Sequence, residues 1–212
     1  MSSVAFSADF IGELDQLLRW RRDVRHFRQE SVPEPVLEDL LHRASMAPSV
    51  GLSQPWRFIR VDDVARRQAI EREFERCNRA ARAELSARDA EEYARLKLNG
   101  LKDAPHHIAV FFDPEPMQGR GLGRHTMPQT VAWSVVMAIY NFWLAATARG
   151  IGVGWVSILD PAVTGRILEL DPNWEMMAYL CVGYPKSPSE TPELEEKNWA
   201  ARHPDRSRWI YR

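Results

Sequence analysis

Cysteine is scarce in this chain of 212 residues: there are two, Cys77 and Cys181, far apart and in no metal-ligand spacing. That excludes a disulfide scaffold and a zinc-ribbon type of site, and it fits a reduced, cytoplasmic setting. An excess of one charge is also missing. Lys and Arg total 28 against 29 Asp and Glu, a formal net charge of −1, so nothing draws the whole surface to nucleic acid or to an anionic membrane. Any anion site must therefore be local. No basic segment followed by an apolar run lies in Met1 to Phe10, and no apolar stretch reads as reaching the roughly 18–20 residues of a membrane span, so neither a signal peptide nor a membrane anchor is expected. Repeats and low-complexity tracts are lacking. Gly119, Gly121 and Gly123 do not have the spacing of a dinucleotide-binding turn, nor its strand before and helix after.

What is present is ample apolar material. Hydrophobic residues make up 45% of the chain, enough for a good core near the upper end of single-domain size, so residues 1–212 read as one domain. Asp9 to Trp20 predicts a first helix. Ser31 or Pro33 opens a second, with Leu37, Leu40 and Leu41 on an apolar face that runs through Ala44 and Met46. Arg57 to Val61 alternates as a short strand. Val64 to about Leu101, rich in Ala, Arg and Glu, predicts two helices with a break near Ser86 and a solvated charged face. The unbroken run Ile108 to Phe112 predicts a central strand covered on both sides. Gly119 to Pro128 reads as a mobile loop able to serve as a lid. Gln129 to Arg149 is the longest apolar helix, apolar around so much of its circumference that it should be central or shared with another subunit. Gly150 to Gly154 reads as the turn that ends it, Trp155 to Ile158 as a buried strand carrying one hydroxyl, Val163 to Leu170 as a short helix, and Met176 to Val182 as a last apolar strand. The polar tail from Glu195 to Arg212 has no core of its own and would either lie across a partner subunit or fray.

Chemistry concentrates in Trp20 to Phe27, where Arg21, Arg22 and Arg25 flank Asp23. Guanidinium groups fork onto phosphate oxygens, so the cluster reads as an anion site; read alone, it is equally a solvated basic turn with a local ion pair. The aspartate would repel a phosphate at close range, and so should either neutralise an arginine or face another part of the ligand. Arginines beside it should lower its pKa, which would leave it ionised at neutral pH and suited to accept a proton. The loop Ala47 to Trp56 offers hydroxyls, an amide and backbone N–H groups to a flat polar ring, or is only a helix-to-strand connection. Ser157 has no His–Asp arrangement beside it, so it reads as a hydrogen-bonding positioner or a plain strand residue rather than a nucleophile. His106 and His107 would point to opposite faces of a strand, which argues against joint metal ligation.

Four blocks together resemble the flavin-dependent nitroreductase superfamily over nearly the whole chain: Arg21-Arg22-Asp23-Val24-Arg25-x-Phe27; Ala47-Pro48-Ser49 with Ser53-Gln54-Pro55-Trp56-x-Phe58; Ala145-Ala146 with Gly150-Ile151-Gly152-x-Gly154-Trp155; and Val182-Gly183-Tyr184-Pro185. Asp23, where an ordinary nitroreductase usually has serine, and Gly154-Trp155-Val156-Ser157 resemble the branch that makes 5,6-dimethylbenzimidazole, the lower ligand of cobalamin, by destroying reduced FMN with oxygen. The resemblance implies an α+β fold with a central, mostly antiparallel sheet flanked by helices, and a homodimer with the long helix and FMN at its interface. It further implies that Arg21, Arg22, Asp23, Val24 and Arg25 line the phosphate and ribityl side, that Ser49 and Leu98 touch the flavin, and that Asp23 and Ser157 are tied to ring fragmentation. Reduced FMN and O2 would then be substrates, erythrose 4-phosphate a second product, and a flavin reductase the source of FMNH2. An NAD(P)H-dependent FMN nitroreductase or flavin reductase, and a non-catalytic flavin sensor, are the alternatives. The tail lacks a clear lysine-rich phosphate motif, so Trp199 and Arg202 receive no role.

Overall fold

The structure, a computed structural model, describes residues 5–94, 100–203 and 212. In chain order the elements are helices α1 (Ala8–Trp20) and α2 (Glu34–Ala44), a single 3₁₀ turn (Val50–Leu52), strand β1 (Trp56–Arg60), helices α3 (Val64–Ala83), α4 (Ala87–Ala94) and α5 (Gly100–Asp103), strand β2 (His106–Phe112), helix α6 (Thr130–Thr147), strand β3 (Gly152–Val156), helix α7 (Pro161–Ile167), strand β4 (Glu175–Gly183) and helix α8 (Glu193–Glu196). The strands pair antiparallel throughout, in the order β1-β2-β4-β3. This is the antiparallel α+β sheet expected from the sequence, with β2 inside it.

Every residue of β2 is buried, because each of its faces meets a separate core. Ile108, Val110 and Phe112 join Leu37 and Leu40 of α2 and Val135, Ile139 and Phe142 of α6. Ala109 and Phe111 join Ile70 and Phe74 of α3, with Leu159, Leu168 and Phe27, on the opposite side. His106 and His107 divide the same way. The His106 ring accepts the Val32 N–H at 2.9 Å, and His107 Nδ1 lies 3.0 Å from the Tyr179 hydroxyl. Both are structural.

Several boundaries differ from the sequence reading. The expected glycine turn is mostly strand: Gly152 pairs with Gly183 and Gly154 with Cys181, so β3 starts earlier and Ser157 falls just beyond its end. Only Gly150, at φ +69°, takes the left-handed conformation of a helix-ending residue. The α3–α4 break falls where expected, with the Ser86 hydroxyl accepting the Asp89 N–H at 3.2 Å. The segment from Gly119, expected as a mobile loop, is docked on the turn before β1. Gln118 Nε2 donates to the Leu52 carbonyl at 2.6 Å, and a Cβ on Gly119 would lie 2.6 Å from the Gly51 oxygen.

α6 has 18 residues and no charge, and by length and composition it is long and apolar enough to cross a membrane, contrary to the sequence reading. In this fold it is a core helix. Its Val131, Val135, Ile139, Phe142 and Ala146 are buried, while Trp133, Val136, Met137 and Tyr140 form an apolar stripe 39% to 51% exposed.

The stretch after α1 completes the sheet edge. It runs beside β3 with a parallel bridge between Asp23 and Val153, and the Val24 N–H donates to the Val153 carbonyl at 3.0 Å. Glycine is required opposite it, since a Cβ on Gly154 would lie 2.1 Å from the Val24 carbonyl oxygen. Phe27, fully buried, pins the far end. Phe27→Ala should cost about 3–5 kcal/mol of stability and Gly154→Ala about 1–3 kcal/mol or more, both read from urea denaturation midpoints.

Candidate active site

Asp23 is held on the outer edge of β3 by its side chain as well as its backbone. Oδ1 accepts the Trp155 N–H at 2.8 Å, a donor that an added strand would otherwise take, and Oδ2 accepts Arg25 Nε at 3.2 Å. The carboxylate faces a cavity of about 110 Å³ lined also by Phe74, Leu101, Gly154, Ser157 and Cys181. Withdrawal from bulk water is the largest influence on its titration and raises the carboxyl above its ordinary value. The Trp155 N–H, Arg25 and Arg21 oppose that rise without overcoming it. The direction reverses the sequence expectation, and the reason lies in where the arginines go. Arg21 lies over the Trp143 ring at 5.1 Å, Arg22 donates to the Arg21 carbonyl at 2.6 Å, and Arg25 alone reaches the carboxylate. A carboxylate with a raised pKa is the stronger base, closer to the pH at which it has to work.

A larger cleft of about 590 Å³ opens on the other side of Asp23, lined by Arg22, Val24, Arg25, Thr147, Gly152 and Lys186. Two of its donors, Arg22 Nε and Arg25 NH1, are buried without a hydrogen-bond partner among the described residues. Burial lowers the Arg22 pKa, and the nearby charge of Arg202 and then of Arg21 lowers it further. The open Arg22 Nε and the like charges beside it suit an anion, while Glu193 already faces Arg25 NH1 at 4.0 Å. Glu193 of α8 lines the cleft with Glu196 and Lys197 from the start of the polar tail, and Trp199 packs against Tyr93 with ring centroids 6.2 Å apart. Sequence reasoning missed Glu193, Lys197, Arg202 and Trp143, whose Nε1 donates to the Arg22 carbonyl at 3.1 Å. A tryptophan in an apolar helix and ions in a polar tail carry no motif.

The structure brings Asp23 and Ser157 to one cavity. Ser157 is exposed, and among the described residues its hydroxyl has no hydrogen-bond partner, so the plain strand reading does not hold. Ser49 lines neither cavity. Its hydroxyl accepts the Gln54 N–H at 3.1 Å, while the next N–H, of Val50, is anchored on Ser134 of α6 at 3.0 Å. Leu98 lies outside the described residues. Behind the smaller cavity, buried Glu73 takes a two-pronged contact from Arg76 at 2.7 and 2.8 Å and a thiol bond from Cys77 at 3.2 Å. Both cysteines are free thiols.

The profile described as "Nitroreductase family" matches residues 18–184. The chain belongs to the nitroreductase family. Members of that family are oxidoreductases, and this one is an enzyme. It is 53% identical over 199 residues to the 5,6-dimethylbenzimidazole synthase of Rhodospirillum rubrum, covering 94% of each chain. It is 45% identical over 186 residues to the enzyme of the same name from Rhodobacter capsulatus, covering 88% of this chain and 90% of that one. Among solved structures, oxidized iodotyrosine deiodinase bound to FMN and 3-iodo-L-tyrosine superposes with a TM-score of 0.73 at 26% identity, covering 94% of this chain and 97% of that one.

The Arg76 contact, ahead of the Cys77 bond, depresses the Glu73 carboxyl from 4.5 to about 2. Its stabilising contribution is therefore complete above about pH 4.5 and lost as pH falls through about 2. Glu73→Gln should lower the urea midpoint at pH 7 and converge on the parent as the pH approaches 2.

Proposed function

We propose that this enzyme is a 5,6-dimethylbenzimidazole synthase that fragments reduced FMN with O2 to 5,6-dimethylbenzimidazole and erythrose 4-phosphate, supplying the lower ligand of cobalamin. The observation that carries this reading is the convergence of Asp23 and Ser157 on one cavity, in a chain 53% identical to a synthase of that name. The residues present suit FMN. The buried Arg22 Nε, without a hydrogen-bond partner among the described residues, is a donor for a phosphate, with Arg21, Val24 and Arg25 along the same edge. Arg202 adds to that charge.

Bound reduced flavin supplies the electrons that oxygen accepts and the carbon skeleton of the product. The protein's share is positional and protonic. The Trp155 N–H fixes Oδ1, leaving Oδ2, shared with Arg25, as the oxygen that takes up a proton from the ribityl chain. The Ser157 hydroxyl donates a hydrogen bond across the same cavity. Phe74, Leu101 and Cys181 give the cavity an apolar wall. A separate flavin reductase delivers FMNH2.

The working unit in this reading is a homodimer. α1 buries none of its residues and leaves Phe10, Ile11, Leu14 and Leu18 38% to 54% exposed, in addition to the stripe on α6. Two apolar faces of that size on one chain suit a second copy, which would bring its own Ser49 and Leu98 to the flavin.

Chemically reduced FMN mixed with the protein in air should yield dimethylbenzimidazole, followed by chromatography. Asp23→Asn keeps the Oδ1 acceptor for Trp155 but removes the base, so product should fall about 10²–10⁴-fold while FMN binding stays within a few-fold; Ser157→Gly should behave likewise. Undiminished product from Asp23→Asn would remove the proposed base. Rapid NAD(P)H oxidation by nitroaromatics with the flavin spectrum intact over many turnovers would favour an ordinary nitroreductase. Tight flavin binding without oxygen uptake would favour a sensor. Val136→Glu with Met137→Glu should convert the dimer to monomer by light scattering and weaken FMN binding at least tenfold; a dimer that survives with full affinity would rule out α6 as the contact.

A further inference from the structure

Arg25 touches Asp23 with one edge of its guanidinium and leaves the other unbonded: NH1 is buried without a hydrogen-bond partner among the described residues. Facing that nitrogen at 4.0 Å is Oε2 of Glu193, the first residue of α8, which leads into the polar tail, and its side chain is 18% exposed. The other oxygen of Glu193 lies 2.6 Å from Lys197 Nζ and 3.6 Å from His26 Nε2. One guanidinium thus stands between two carboxylates from opposite ends of the chain. We infer that Glu193 is a positioning residue for Asp23, acting through the Arg25 guanidinium that the two carboxylates share.

The argument is electrostatic and has a definite sign. A cation held between two anions stabilises each less than it would alone, and a second carboxylate nearby disfavours charge on the first. Glu193 therefore draws on the charge of Arg25 and keeps Asp23 more basic than Arg25 by itself would allow. The other groups facing Asp23 are Arg21 from its own segment, Cys181 from β4 and the Trp155 N–H from β3. None of them belongs to α8. A carboxylate of α8 that adjusts the base gives the placement of that helix a chemical consequence beyond covering the cleft.

The inference rests on Asp23 being the base, so its test reads the carboxylate directly. The Trp155 amide bonds to Oδ1, and its ¹⁵N–¹H signal in the flavin-free full-length protein reports the ionisation of Asp23. Glu193→Gln should move the midpoint of that titration to lower pH by at least about 0.3 unit, twofold in proton affinity. Lys197→Gln leaves Glu193 charged and removes its nearest cation, so it should move the midpoint upward. The acid limb of product formation should shift with each. An unmoved midpoint in Glu193→Gln, or shifts of the same sign in both variants, overturns the inference. Inactivity of Asp23→Asn alongside an unmoved midpoint sinks this inference alone, whereas an active Asp23→Asn sinks the proposed function and leaves the titration result standing.

Discussion

The arrangement depends on one substitution of partners along a sheet edge. Among the described residues β3 is the last strand of the sheet, and its outer N–H and C=O groups need partners that no fifth strand there supplies. Residues 23 to 27 meet part of that need with backbone, Val24 bonding to Val153. At the next donor the Asp23 side chain replaces a carbonyl, taking the Trp155 N–H at 2.8 Å. A carboxylate is thereby fixed in a place where a backbone group would normally be, close to water but largely turned from it. A buried edge donor left unpaired would cost about 1–3 kcal/mol, so fold and site reinforce each other at this atom.

That constraint explains the glycines better than turn chemistry does. Gly152 and Gly154 look in sequence like a flexible terminator for a long helix, and that was how they read. Their function is spatial, because the incoming segment lies so close to β3 that a Cβ at either position would strike Val24. Local propensity and tertiary contact both select glycine here, and a sequence cannot separate the two. The same confusion moved the strand boundary and placed Ser157 within a strand instead of past its end, where its hydroxyl is unbonded.

What was legible was the part encoded by short-range pattern. The fully apolar run of β2, the charged face and Ser86 break of the α3–α4 region, the central helix and the motif around Asp23 were all readable, and that motif with three others carried the family resemblance. What was not legible depends on which groups turn toward which. Three arginines beside an aspartate suggest a lowered pKa, but stacking of Arg21 on Trp143 and the inward bond of Arg22 leave one arginine for the carboxylate, and desolvation then dominates. Likewise, Glu193 is one acid among several where the chain leads into a polar tail. Only the folded chain puts it opposite Arg25.

The separation of Ser49 from Asp23 completes the reasoning. The loop that carries Ser49 is pinned to α6 through Ser134, the helix whose opposite stripe of Trp133, Val136, Met137 and Tyr140 faces outward. Asp23 and Ser157 are pinned to β3, at the other edge of the sheet from β1. In the proposed reading, a ligand as long as a flavin mononucleotide that meets both groups would lie where two chains meet, because the described residues of one chain bring them to no common cavity. The exposed apolar helix face, the uncovered α1 and the divided site residues then have one explanation in that proposal: each chain would fold half of a binding site and leave uncovered the surfaces that recruit the other half.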